Sequence, residues 1–271
     1  MNKSQAGILL VCDMDGTLLN SHNQISPQNR SALNRFVAQG GSFTVATGRI
    51  EASVEQYLTE LPINAPAILY NGAMIYDFHQ RGVIWTSLLP VQITGVIKLI
   101  LGNFPGIGVE IYQNGKIYLL AENDLTTKHE EKENIAFIRS LSIEQLPNPW
   151  QKVLLAWDPP KISRVESFLN GENPPLVFVR SEPYFLEILP QGVNKGFALG
   201  YLTKYLGIPH SKVVAMGDNL NDREMLQIAG YGIAVANAHV DLKAIATFCS
   251  CYNDQHAVAK VVDWIEQKMP K

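Results

Sequence analysis

The sequence predicts an α/β fold: a parallel-sheet core interrupted by an inserted α+β domain. Three observations carry this prediction. Short apolar runs alternate with helical patterns near the start of the chain, the rhythm of β-α-β crossovers. From about Gly82 to Glu187 the pattern changes to strand pairs joined by turn signals. After that stretch the first rhythm resumes and runs to the end.

Residues 8–12 form a continuous apolar run, the mark of a strand buried on both faces of a parallel sheet. Ser26-Pro27 then offers a capping hydroxyl and a proline at the first helical position. Leu33, Phe36 and Val37 give that helix an apolar stripe, and Gly40-Gly41 ends it. Residues 42–46 read as the second strand, 51–61 as a helix and 67–70 as a third strand. In the middle, Asn114-Gly115 is a hairpin turn between runs at 108–112 and 116–121. Helical patterns fall at 91–101 and 130–141, and strands at 153–157, 176–179 and 184–189. A helix at 195–205, a strand at 213–216, a helix at 222–228, a strand at 232–235 and a last helix at 256–268 complete the chain. The simplest division assigns residues 1–81 and 188–271 to the core and 82–187 to the insertion.

Composition narrows the function classes. The chain has 271 residues, room for one large domain or two modest ones, and its 46% apolar content excludes a disordered chain. Twenty-two basic against 25 acidic residues leave a net charge of −3, which gives no electrostatic footprint for nucleic acid or an anionic membrane. Three cysteines, Cys12, Cys249 and Cys251, imply no disulfide framework, and the longest apolar stretch is far too short to span a bilayer. The expectation is a soluble cytoplasmic protein in a reducing compartment, a monomer or weak homodimer.

Ligands of open α/β sheets bind beyond the carboxyl ends of the strands, so the residues that follow each strand matter most. After the first come Asp13-Met14-Asp15-Gly16-Thr17, after the second Thr47-Gly48-Arg49, and after the third Asn71-Gly72. The helix beyond the insertion opens with Asn194-Lys195-Gly196, and the next strand ends in Gly217-Asp218-Asn219-Leu220-Asn221-Asp222. Four carboxylates (Asp13, Asp15, Asp218, Asp222) against Lys195 and Arg49 make a site of about −2, which repels a phosphate dianion in a partly desolvated pocket. A hard divalent cation such as Mg²⁺, held by carboxylate oxygens, removes the conflict and stabilises the charge of a phosphoryl-transfer transition state.

Asp13-Met14-Asp15-Gly16-Thr17-Leu18-Leu19 resembles the first motif of the haloacid dehalogenase (HAD) superfamily. Thr47-Gly48-Arg49, Lys195 and the run from Gly217 to Asp222 resemble its second, third and fourth motifs, in the expected order. The place and character of the insertion resemble the Cof-type phosphatases with a type IIB cap. The resemblance implies a Rossmann-like core, with the cap closing over the active site to exclude water and select the substrate. It further implies that Asp13 is the nucleophile that forms an aspartyl-phosphate, and that Asp15 is the general acid and then the general base. Thr47, Gly48, Lys195 and the backbone N–H of Met14 would hold the phosphoryl oxygens, with Asn221 touching phosphate. Mg²⁺ would sit on Asp13, the backbone carbonyl of Asp15, and Asp218, and Asp222 would orient Lys195 or a metal-bound water.

Some residues keep two readings. Arg49 either touches substrate or phosphate or pairs with a surface carboxylate, and Asn71-Gly72 either lines the pocket or makes the turn into the cap. Trp85, Trp150, Trp157, Tyr184 and Phe185 read as cap core. The histidines show no metal-ligand spacing. The expected function is Mg²⁺-dependent hydrolysis of a small phosphorylated metabolite, such as a sugar phosphate or a cofactor phosphate. A phosphosugar mutase and a non-catalytic phosphometabolite-binding module are the alternatives.

Overall fold

The computed structural model describes residues 5–140, 142–146, 148–172 and 175–269. The chain opens with β1 (Leu9–Cys12), α1 (Pro27–Ala38), β2 (Ser42–Val45), α2 (Glu51–Glu55), β3 (Ala67–Leu69), β4 (Met74–Asp77) and β5 (Gly82–Thr86). It continues with α3 (Ile93–Asn103), β6 (Gly108–Gln113), β7 (Lys116–Ala121), α4 (Asp124–Glu133), β8 (Ile138–Arg139), β9 (Lys152–Ala156), α5 (Pro159–Glu172), β10 (Leu176–Glu182) and β11 (Phe185–Pro190). The last third holds α6 (Lys195–Leu206), β12 (Val213–Gly217), α7 (Arg223–Ile228), β13 (Tyr231–Ala234), α8 (Val240–Ile245), β14 (Phe248–Cys249) and α9 (Ala257–Lys268). Two compact units result: Met1–Arg49 with Val54–Trp85 and Asn194–Lys271, and Ile50–Ser53 with Thr86–Val193. Among the described residues, no helix is long and apolar enough to cross a membrane.

In the first unit a parallel sheet runs β14-β13-β12-β1-β2. All four residues of β1 are buried, as a central strand covered on both faces requires. The chain moves from β1 to β2 on one side and later enters β12 on the other. The strand order therefore reverses at β1, and the carboxyl ends of β1 and β12 flank the crevice where such sheets bind ligands. Helix α1 starts where its caps dictate: Ser26 Oγ accepts from the Asn29 N–H at 3.2 Å, and Pro27 occupies the first turn.

Two expectations for this unit are corrected. The helix expected over 51–61 stops at Glu55, and the chain tightens into turns with bonds from Tyr57 to Val54 and from Glu60 to Tyr57. Pro62 follows directly and disfavours helical geometry at Leu61. The third strand, β3, touches the parallel sheet through one bridge, Ala46 to Ile68, and pairs antiparallel with β4 in a separate sheet β3-β4-β5. Positive φ angles at Tyr70, Asn71 and Gly72 reverse the chain there.

The second unit is built on a six-stranded sheet, β10-β11-β9-β6-β7-β8. Alternate residues of its central strands (Val109, Ile111, Val153, Leu155, Leu186, Ile188) pack with Ile93, Ile97 and Ile100 of α3 and Ile162, Val165 and Leu169 of α5, around Trp150. Helix α5 is absent from the sequence reading; its opening Pro159-Pro160 looks like a turn, yet prolines fit a first helical turn. The helix expected at 130–141 instead spans Asp124–Glu133; Leu141 lies outside the described residues. Asn123 and Thr126 form a capping box that starts it early, and Asn134, in the left-handed region at φ 54°, ends it. Trp85 belongs to the first unit, packed against Phe197 and Tyr201, and not to the cap core.

The other side of that sheet is charged and buried. Glu110 accepts from Tyr112 Oη at 2.8 Å and lies 2.9 Å from His129 Nδ1, while Glu133 accepts from Ser53 Oγ. Lys152 pairs with Glu187 at 3.0 Å and sits over the Tyr112 ring. Burial alone would pull the His129 imidazole down, but Glu110 and Glu133 outweigh it and push its pKa up to about 10. The folded value lies above the ordinary one of about 6.5, so the stabilisation is complete below that pH and vanishes as pH rises to about 10. The unfolding temperature of the wild type should therefore fall across pH 7 to about 10 more steeply than that of His129→Gln. Parallel curves for the two proteins would show that the imidazole is not charged in the fold.

Candidate active site

The loop after β1 starts with Asp13, whose N–H donates to the Met216 carbonyl at 2.9 Å and so registers it against β12. Gly16 then adopts φ 76°, and a Cβ there would press into the Asp218 carboxylate, so only glycine lets this turn approach so closely. Thr17 Oγ1 donates to Asp218 Oδ1 at 3.3 Å, tying the turn to the residue that follows β12.

Lys195 is the first residue of α6, whose cap Asn194 accepts from the Phe197 N–H at 2.7 Å. Its side chain is fully buried, and Nζ donates to Asp13 Oδ1 and to Asp222 Oδ1, both at 2.6 Å. Burial opposes a charged lysine, but the two carboxylates reverse that and raise its pKa. Asp222, also fully buried, accepts from the N–H groups of Asp218 (2.9 Å) and Asn219 (3.2 Å) with its other oxygen. It thus locks the turn after β12 and the lysine together.

Asp13, Asp218 and Asp222 each offer a carboxylate oxygen, and these lie within 4.8 Å of one another. Among the described residues no other cluster of His, Cys, Asp and Glu meets that condition. Burial, first of all, pushes Asp13 up to about 7 and Asp218 up to about 9; Asp222 raises both further, and Lys195 only partly counters it. Asp13 and Asp218 thus hold protons more tightly than free carboxylates do, and a cation would displace those protons. Asn221 Oδ1 is buried with no hydrogen-bond partner, because the amide nitrogen is given to Asn71 Oδ1 at 3.1 Å. An all-oxygen donor set with an orphaned carbonyl beside it fits a hard, hydrated divalent cation.

Asp15 stands apart from this cluster. Arg49 grips its carboxylate with two parallel bonds, Nε to Oδ2 and Nη2 to Oδ1, each 2.9 Å. The carboxylate that Arg49 pairs with is therefore that of Asp15 in the first motif, not one on the surface. Thr47 is buried at the end of β2; its Oγ1 accepts from the Arg49 N–H at 3.2 Å and its carbonyl from the Asn71 N–H at 2.9 Å. Gly48 lies against the Asn71 amide, and Met14 is fully buried. The sequence reading missed Asn237 and Asn253. Their amides donate to the carbonyls of Gly16 (2.7 Å) and Leu19 (2.9 Å), contacts between residues over 200 positions apart that no local pattern signals.

A family model described as haloacid dehalogenase-like hydrolase matches residues 10–262. The YxeH protein of Bacillus subtilis (strain 168) is 32% identical over 264 residues, covering 94% of this chain and 96% of its own. The 5-amino-6-(5-phospho-D-ribitylamino)uracil phosphatase YwtE of the same organism is 29% identical over 280 residues, with 94% and 96% covered. A crystal structure of a haloacid dehalogenase-like hydrolase from Bacteroides thetaiotaomicron superposes with a TM-score of 0.87 at 30% identity, covering 95% of this chain and 99% of that one. The motifs, the sheet that presents them and these likenesses agree: the chain belongs to the haloacid dehalogenase-like hydrolases, and it is an enzyme whose relatives are named phosphatases.

Proposed function

We propose that the protein hydrolyses a small phosphomonoester, a sugar phosphate or a cofactor phosphate, with Mg²⁺ and through a phosphorylated Asp13. The observation that carries this reading is the buried ion cluster in which Lys195 bridges Asp13 and Asp222 beside Asp218. A cluster with three carboxylates and one fixed ammonium suits a dianionic phosphoryl group once a divalent cation balances it.

Asp13, Asp218 and the backbone carbonyl of Asp15 would hold the cation, and Asn221 would touch the phosphate. When bound, Mg²⁺ supplies positive charge that offsets the carboxylates and the phosphoryl oxygens. A carboxylate oxygen of Asp13 attacks phosphorus in line, the bond to the ester oxygen breaks, and the Asp15 carboxyl gives that oxygen its proton. Asp15, now ionised, takes a proton from the water that attacks the phosphorus of the aspartyl-phosphate; phosphate leaves and Asp13 is restored. Lys195, Thr47, Gly48 and the Met14 N–H hold the phosphoryl oxygens through both steps. Asp222 and Asn71 keep Lys195 and Asn221 in place.

We read the second unit, whose main segment runs Thr86–Val193 rather than 82–187, as the cap, and the first unit as the hydrolase core. A net charge of −3 argues against a nucleic-acid partner, and three free thiols suit a cytoplasmic enzyme acting as a monomer or weak homodimer. The relative named for a phosphoribityl substrate supports a small phosphorylated metabolite.

The test is metal removal and return. Chelated protein should lose turnover of an aryl phosphate, and Mg²⁺ should restore it; undiminished turnover without divalent metal would end this reading. Arg49→Met removes the fork that orients Asp15. It should lower kcat about ten- to a hundredfold while leaving KM within about threefold, since misplacement of a reacting group costs rate more than binding. A rise in KM at constant kcat would instead assign Arg49 to substrate binding.

A further inference from the structure

We infer that Asn237 is a positioning residue that sets the spacing of the metal-binding oxygens without touching the metal, an inference that rests on the metal site proposed above. The loop from Val235 to His239 follows β13 and holds two separate pieces of the site. Its backbone takes the end of β12: the Val235 N–H donates to the Gly217 carbonyl at 3.2 Å and the His239 N–H to the Asp218 carbonyl at 2.7 Å. Its one amide side chain takes the turn after β1, with Asn237 Nδ2 donating to the Gly16 carbonyl at 2.7 Å. One short loop thus grips both the residue that carries the Asp218 carboxylate and the turn that carries Asp13 and the Asp15 carbonyl.

The turn depends on such a grip. Gly16 is packed against Asp218 with no room for a side chain, and its peptide adjoins that of Asp15. A rotation of the Gly16 carbonyl re-aims the neighbouring Asp15 carbonyl and shifts Thr17 Oγ1 from Asp218 Oδ1. Asn237 is itself fixed in the amide orientation this requires. Its Oδ1 accepts from the Asn253 N–H at 3.1 Å, which assigns the nitrogen to Gly16. Asn253 Nδ2 donates to the Leu19 carbonyl at 2.9 Å, and Asp254 Oδ1 accepts from the Ser21 N–H at 2.8 Å, bracing the far end of the same turn. Asn237 is exposed and contributes little to the core, so its replacement should leave folding intact.

The experiment compares the wild type with Asn237→Asp and Asn253→Ala by calorimetric titration of the chelated protein with Mg²⁺, alongside thermal unfolding without metal. Asn237→Asp keeps the size and the acceptor but replaces the donor to Gly16 with an oxygen that repels its carbonyl. Its dissociation constant for Mg²⁺ should rise about tenfold, within the range for outer contacts of metal sites, with metal-free unfolding within about two degrees of wild type. Asn253→Ala should weaken binding less, because Asn237 still reaches Gly16. Unchanged Mg²⁺ affinity in Asn237→Asp, whatever its stability, overturns the inference and leaves the metal site standing. Absence of Mg²⁺ binding to the wild type overturns both.

Discussion

Asp13→Asn should reduce hydrolysis of an aryl phosphate by roughly a thousandfold or more, measured as kcat at saturating Mg²⁺ and substrate. An amide cannot form the acyl-phosphate bond, and it is a poorer partner for both the cation and Lys195. The substitution also removes one of three carboxylates that crowd a buried space, so the unfolding temperature should stay within a few degrees of wild type. Loss of activity with retained stability separates a nucleophile from a structural ion-pair partner. Activity within tenfold of wild type would remove Asp13 from the chemistry.

Lys195→Met should abolish activity and also destabilise the fold. Lys195 is fully buried between Asp13 and Asp222, and its removal strands two carboxylates away from water. Breaking a buried ion pair from one side costs about 3–5 kcal/mol, which a urea titration resolves easily. The sign of the pH effect follows. Burial already pushes the folded pKa of Asp13 up to about 7, above its ordinary value, so its charge weighs against the fold as pH rises through that range, and the deficit of the variant should shrink as pH falls. Lys195→Met with Asp222→Asn should recover part of the loss by removing one of the stranded charges. A deficit that is constant or grows on acidification would mean that the ion cluster is not what Lys195 supports.

Much of this was legible in the sequence where local chemistry determines structure. Ser26-Pro27 marked the start of α1, the Asn114-Gly115 turn marked the β6–β7 hairpin, and the apolar run into Asp13 marked a buried strand with its chemistry at the carboxyl end. The motif residues were legible for the same reason, since each lies just past a strand or at a helix start. Legibility failed where tertiary contacts decide. Helix α4 is placed by a capping box at Asn123 and a left-handed stop at Asn134, which outweigh the apolar spacing that suggested 130–141. Glu110, Lys152 and Glu187 sit in strands at positions that alternate with apolar residues, a pattern that ordinarily marks a solvated face; here Lys152 pairs with Glu187 and Glu110 with His129 inside the unit. The partner of Arg49 is Asp15, 34 positions away, and the grip of Asn237 on Gly16 crosses 221 positions.

On the proposed mechanism, a phosphoryl group passes through the Asp13 carboxylate, held by Lys195 and a divalent cation. Asp15→Asn should form the aspartyl-phosphate from an activated aryl phosphate but hydrolyse it slowly, because no carboxylate remains to activate water. Quenching that variant with Mg²⁺ in a single turnover, trapping with hydroxylamine and mapping peptides by mass spectrometry reads the claim directly. The expected result is a stoichiometric hydroxamate on the peptide that contains Asp13. Release of the aryl alcohol with Asp13 unmodified and phosphate already free in solution would contradict it.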